Sequence, residues 1–288
     1  MAWDQLLTGV LSSVASGSVL LIATLGLAVV FGLMGVVNLA HGEFIMFGAY
    51  AALTAVRAGV PFPLAVALAA LAAAAFGALV EWLIVRRLHG RPFDTLLAMW
   101  GLSLALYQSA VLLFGTVTPG IGMPASNVRI GDYTISSYLL FLIVVAAVLI
   151  AAVYALLTRT NYGLMARAAI QDPATAAAMG VRTVRINNLT FALGCGLAGL
   201  AGAILVPAVP ATPSMGFAFG IKAFLAVVVA GPVTLAGTIA AGGILGSAAS
   251  AVASVWSTVA GDVVFFVITL VALRAWPQGI SERWRLKL

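Results

Sequence analysis

Hydrophobic positions along this chain do not alternate and do not form narrow amphipathic stripes. They come in continuous blocks, near residues 11–34, 63–85, 95–114, 137–157, 188–209, 222–246 and 251–273, with a shorter block at about 44–57. A helix needs about 20 apolar residues to cross a bilayer core. Membrane β-strands instead read as roughly ten-residue segments of alternating polarity. The pattern therefore predicts an all-α fold: a polytopic transmembrane helical bundle of about eight membrane segments.

Composition agrees. Of 288 residues, 63% are hydrophobic and 8% charged. Soluble domains carry roughly 25% charged residues, so a water-soluble enzyme, a disordered chain and a secreted disulfide scaffold are excluded. The lone cysteine, Cys195, lies inside an apolar block and can form no intrachain disulfide. The N-terminus has no basic segment ahead of a short apolar one, so no removable leader is expected. The chain reads as a single transmembrane domain over 1–288.

The net charge of +6 resides in short gaps between blocks. Arg86, Arg87 and Arg91 share one gap; Arg159, Arg167, Arg182 and Arg185 share another; Arg283, Arg285 and Lys287 lie in the tail. Positive charge concentrates on the cytoplasmic side of membrane proteins, which places these segments inside and leaves no basic stripe for nucleic acid. The Gly-, Pro- and Ser-rich stretch 115–136 then lies outside. From residue 210 outside to a tail inside, the chain has to cross an odd number of times, yet only two blocks remain. Gly231-Pro232, Gly237 and Gly242-Gly243 interrupt the 222–246 block, so a broken or re-entrant helix is expected there.

Four stretches could carry function. Asn38, His41, Gly42 and Glu43 fall between two apolar blocks with little room for a solvated loop. A charge at bilayer depth costs about 2.5–3.5 kcal/mol on insertion scales. Two readings stand: a helix break lining a transport path, or an interfacial loop whose polar groups cap the next helix. The second stretch is the Gly/Pro-interrupted block with Gly231, Pro232 and Gly237; one such segment in each half leaves an internal repeat open. Lys222 beside it is expected to snorkel to an interface.

The third is the loop 158–187, where Ala-rich stretches flank Asp172-Pro173. Asp172 suits an N-cap, Pro173 the first helical position and Gly180 the C-terminal stop, so two short helices are expected. They form either a knob for a partner's groove or a surface helix on their own bundle. The fourth, Gly194, Ala198 and Gly202, puts small residues at four-residue spacing, which lets helices approach closely. The alanine tract 65–75 reads the same way.

The chain has no phosphate-binding Gly-x-x-x-x-Gly-Lys-Ser/Thr loop, no Gly-x-Ser-x-Gly elbow and only two histidines beside its one cysteine. No catalytic residue, metal site or cofactor is expected, and ATP hydrolysis would have to occur in another chain.

The segment from Gly35 to Tyr50, containing Asn38-Leu39-Ala40-His41-Gly42-Glu43, resembles the N-terminal signature of bacterial branched-chain amino acid ABC transporter permeases. Gly163, Arg167, Asp172-Pro173 and Met179-Gly180 resemble that family's cytoplasmic loop, Lys222 to Gly243 its Gly-rich penultimate region, and Trp276-Pro277-Gln278-Gly279 its terminal motif. At Ala230-Gly231-Pro232-Val233-Thr234 the chain departs from the family's Gly-Gly and Gly-Ser, which leaves the solute open among branched-chain amino acids, urea and short amides. The resemblance implies a bacterial inner-membrane importer subunit of the shorter permease type. It would pair with a second permease as hetero- or homodimer, with two cytoplasmic ATP-binding subunits and with a periplasmic solute-binding protein. In that reading Asn38, His41, Gly42, Glu43, Gly231, Pro232 and Gly237 belong to the path, and Gly163, Arg167, Asp172, Pro173 and Gly180 to the ATPase-coupling loop. The alternative is an ion-coupled carrier or channel working alone, with Glu43 as its coupling site.

Overall fold

The structure is a computed structural model that describes residues 2–116, 120–122, 127–130, 133–231 and 235–281, with side chains described except at 2–8, 127–130 and 133–135. Pro232, Val233, Thr234, Arg283, Arg285 and Lys287 lie outside the described residues.

Among the described residues the chain is helical apart from one hairpin. The helices are α1 (Ala2–Met34), α2 (His41–Arg57), α3 (Phe62–Leu83), α4 (Pro92–Phe114), α5 (Ser137–Arg159), α6 (Asn161–Gln171), α7 (Pro173–Ala178), α8 (Thr183–Leu205), α9 (Met215–Ala230), α10 (Leu235–Val255) and α11 (Thr258–Ala275). A single 3₁₀ turn, Val85–Leu88, follows α3. Seven of the helices are long and apolar enough to cross a membrane, which makes this a multi-pass membrane protein. The sequence pattern contained no strands; the segment read as an external loop holds an antiparallel pair, β1 (Asn127–Ile130) and β2 (Tyr133–Ser136).

The expected break in the 222–246 block is present, but at one place and not three. The block divides at Gly231, whose φ of +85° ends α9, while Gly237, Gly242 and Gly243 sit inside an unbroken α10. Three helical segments, not two runs, thus follow residue 210.

The chain forms two compact units. The first comprises residues 1–24, 122–149 and 222–288. Its α1 and α10 touch through glycine: a Cβ on Gly246 would lie 2.8 Å from Gly17 Cα, and Ser250 Oγ donates to Ser16 Oγ at 2.9 Å. Helix α11 packs on α10 where Gly261 faces Ala249 and Ala253. Beyond α11 the chain turns back onto the end of α9. Ile280 N–H donates to Val229 O at 2.9 Å and Ser281 N–H to Ala230 O at 3.1 Å. These bonds satisfy carbonyls that a helix C-terminus leaves open, and they give the Trp276–Gly279 motif a structural role. Lys222 Nζ donates to Asp262 Oδ1 at 2.6 Å, an ion pair between α9 and α11.

The second unit comprises residues 25–121 and 150–221. Its axis is α8, which lies antiparallel to both α2 and α3. Along α8, Gly194 meets the backbone of Gly26, Cys195 meets Gly77, Gly196 meets Ala74, Gly199 meets Ala73 and Gly48, and Gly202 meets the carbonyl of Ile45. Ala65, Ala69 and Ala73 of the alanine tract are buried. The small-residue stripes are packing surfaces, and Cys195 is one more small side chain among them. Phe44 binds the three helices further, with Phe76 at 5.6 Å and Phe191 at 6.4 Å between ring centroids. The opposite face of α3, with Leu64, Leu68, Leu71 and Trp82, is exposed, as a lipid-facing surface requires.

Replacing Gly202 by Leu drives a side chain into the Ile45 carbonyl and is expected to cost about 3 kcal/mol or more. Gly101→Ala, at a position with open space around it, is expected to gain up to about 1 kcal/mol from helix propensity. Thermal unfolding of the detergent-solubilised variants distinguishes these outcomes.

Candidate functional site

Gly35, at φ +64°, ends α1 and sends the chain through a short turn in which His41 N–H donates to Asn38 O at 3.2 Å. Helix α2 then begins at His41 with no side-chain cap on its N-terminus. Glu43 lies in the first turn of this helix. The polar groups are deeply buried: Asn38 is 2% exposed, His41 1% and Glu43 2%.

Glu43 Oε1 accepts a hydrogen bond from Ser103 Oγ of α4 at 3.2 Å. Among the described residues Glu43 Oε2 and both polar atoms of Asn38 have no hydrogen-bond partner. Buried polar atoms in native proteins are almost always paired, with protein or with water. A set of such atoms in one turn is therefore a place where water or a polar solute has something to bond to. The His41 ring lies beside Gly26, with Cε1 3.0 Å from where a Cβ would sit.

Gly42 explains how α2 reaches this depth. A Cβ there would run into the carbonyl of Gly216, and Gly220 also faces it, so α2 and the start of α9 meet backbone to backbone. A side chain at Gly216 would in turn meet the Glu43 carboxylate at 2.5 Å. Ser103, Gly216 and Gly220 are the members of this site that sequence reading missed; Ser103 lies in the 95–114 block, the two glycines between the 188–209 and 222–246 blocks, and no local pattern links them to residue 43.

Gly231 and Gly237 belong to the other compact unit. There Gly231 approaches Gln278, Gly279 and Ser281, and Gly237 is a buried position within α10. Pro232 lies outside the described residues.

The 158–187 loop has the two expected helices, α6 and α7. Thr160 caps α6 by accepting from Gly163 N–H at 3.2 Å, and Gly163 lies so close to the Leu157 carbonyl that a Cβ has no room. Arg167 donates a guanidinium hydrogen bond to Leu157 O, which holds α6 against the end of α5. Tyr162 and Thr190 share a hydrogen bond of 2.8 Å that ties α6 to α8. Asp172 caps α7, accepting from the N–H groups of Ala174 at 3.0 Å and Thr175 at 3.1 Å and from the Thr175 hydroxyl. Pro173 occupies the first helical position, and Gly180, at φ +90°, ends the turn. Met179 beside it is 81% exposed.

Comparison with known proteins bears on all of these elements together. The family model described as branched-chain amino acid transport system / permease component matches residues 9–273. The chain belongs to that family. Similar proteins include the permease protein BraD of the high-affinity branched-chain amino acid transport system of Pseudomonas aeruginosa, 31% identical over 291 residues, covering 93% of this chain and 92% of BraD. The corresponding permease LivH of Escherichia coli is 27% identical over 293 residues, 94% of each chain. A probable branched-chain amino acid transport permease LivH of Methanocaldococcus jannaschii is 25% identical over 284 residues, 92% of this chain and 89% of its own. No solved structure matches the chain. Members of this family are transport permeases.

The Asp172 cap has a pH signature. The Thr175 hydroxyl and N–H hold its carboxyl below the ordinary value of 3.8. A depressed carboxylate stabilises the fold above its unfolded pKa and loses that contribution as pH falls through the folded value. Protection of the 174–178 amides, measured relative to the intrinsic exchange rate at each pH, is expected to hold from neutral pH down to about 4 and to fall below it. Asp172→Ala is expected to remove the pH step and exchange fast throughout.

Proposed function

We propose that this chain is the membrane-spanning subunit of an ABC importer that moves a small polar solute, of the branched-chain amino acid class, across a bacterial inner membrane by alternating access. The match to a permease family over 9–273, with relatives similar along nearly their whole length, carries this reading. A second permease, two cytoplasmic ATP-binding subunits and a solute-binding protein complete the complex. Energy enters through the 158–187 loop. Its exposed Met179 and Leu164 offer apolar contact to a partner, and the Arg167 bond to Leu157 gives α6 a rigid attachment to a spanning helix. ATP alters the bundle only if the partner grips its two states with unequal affinity.

The path is lined by the Asn38–Glu43 turn. Its unpaired buried oxygen and nitrogen atoms supply hydrogen bonds that a desolvated polar solute needs. Gly42 keeps the turn against α9 without an intervening side chain.

Purification in mild detergent followed by mass spectrometry is expected to recover two ATP-binding subunits with the permease. Reconstituted with them, with the second permease and with the solute-binding protein, uptake of leucine, isoleucine or valine is expected to require ATP. Arg167→Glu is expected to lower uptake roughly tenfold, about 1.4 kcal/mol of coupling, with normal membrane insertion and reduced ATPase stimulation. Unchanged uptake removes Arg167 from the coupling element. Accumulation by the chain alone on a proton or sodium gradient, abolished by Glu43→Gln, replaces the importer with an ion-coupled carrier.

A further inference from the structure

We infer that the second compact unit holds a separate binding site for a small zwitterion with an apolar side chain, at the end of the bundle that carries the coupling loop. This inference rests on the importer reading above and concerns residues outside the Asn38–Glu43 turn.

The site is a cavity of about 370 Å³. It opens where the last turn of α1, the end of α3 with its 3₁₀ turn, the α6–α7 junction and the start of α8 converge. The antiparallel pairing of α3 and α8 puts residues 78–89 and 183–189 at one end of the unit, and the arginines there mark it as cytoplasmic.

Glu81 lines the cavity and is 2% exposed. Its Oε2 accepts a hydrogen bond from Asn188 Nδ2, which also donates to Ala78 O at 2.9 Å. Oε1 has no partner among the described residues. Arg86 lines the same cavity and has neither an ion pair nor a hydrogen bond among the described residues. A buried carboxylate without a cation is costly, and so is a charged ligand group without a counter-charge. One zwitterion answers both: its ammonium takes Glu81, and its carboxylate takes the guanidinium, which suits carboxylates in a fork geometry. His89, held by Asn187 at 3.5 Å, offers a further polar edge. Leu33, Met34, Ile170 and Val184 form the apolar wall that an aliphatic side chain fills. The charge balance of one acid and one base fits a zwitterion, whereas a phosphate has no use for Glu81.

Ile170 and Pro173 flank the junction that Asp172 organises. A solute in this cavity therefore sits under the coupling loop and pins it to the bundle. Accumulated product would occupy the site from inside and slow further import.

The test is equilibrium binding of tritiated L-leucine to the full-length chain in phosphatidylcholine nanodiscs, without ATPase subunits. Saturable binding is expected, with L-leucinamide and N-acetyl-L-leucine competing at least tenfold more weakly, since each lacks one charge. Arg86→Gln, at an exposed residue, and Glu81→Gln, which keeps the acceptor for Asn188, are each expected to weaken leucine binding at least tenfold with unchanged thermal unfolding. Arg86→Gln is expected to spare leucinamide, and Glu81→Gln to spare N-acetyl-leucine. No saturable binding, equal affinity for leucine and both analogues, or binding lost in Glu43→Gln but kept in both variants overturns the inference. Phosphatidylglycerol retained in the cavity and not displaced by leucine also overturns it. ATP-driven leucine uptake by the assembled importer, measured in parallel, tests the importer reading separately. Uptake that persists while binding fails removes this site alone, and absent uptake of any branched-chain amino acid removes the reading on which it rests.

Discussion

Inside a bilayer, helices gain almost nothing by hiding apolar surface from a solvent that is itself apolar, so close van der Waals contact has to supply cohesion. In this protein that contact is made by removing side chains. Gly194, Gly196, Gly199 and Gly202 let α8 touch α1, α3 and α2 at backbone distance, and Ala69 and Ala73 meet it from α3. The other compact unit uses the same device at Gly17, Gly246 and Gly261. On α3 the bulky Leu64, Leu68, Leu71 and Trp82 are turned outward, where lipid accepts them. The polar turn at Asn38–Glu43 depends on this arrangement, because Gly42 can be seated deep in the unit only if α9 presents Gly216 and Gly220 to it.

Much of this was legible in the sequence because membrane helices announce themselves by length. The apolar blocks became helices, the four-residue spacing on α8 became a seam, and Asp172-Pro173 divided two short helices as capping rules require. These are local signals, in which each residue's role follows from its near neighbours along the chain. The break at Gly231 was visible too, but Gly237, Gly242 and Gly243 gave the same signal inside a continuous helix. Glycine tells that something comes close; it does not tell whether that something is a turn or another helix.

What escaped sequence reading depends on residues far apart. Ser103 reaches Glu43 across 60 positions, Asn188 reaches Glu81 across 107, and Lys222 finds Asp262 across 40. Neither Ser103 nor Glu81 interrupts its apolar block strongly enough to stand out. The hairpin 127–136 was hidden for a different reason: four-residue strands carry too little pattern to distinguish from a polar loop.

The contact of Gly42 with Gly216 and Gly220 has a mechanical corollary. Two helices that meet through interlocked side chains are geared: one cannot advance along the other without lifting each tooth out of its socket. Where both surfaces are bare backbone there are no such teeth, and the two backbones alone set the spacing. The acidic turn is mounted beside this bare contact, with its carboxylate resting against Gly216.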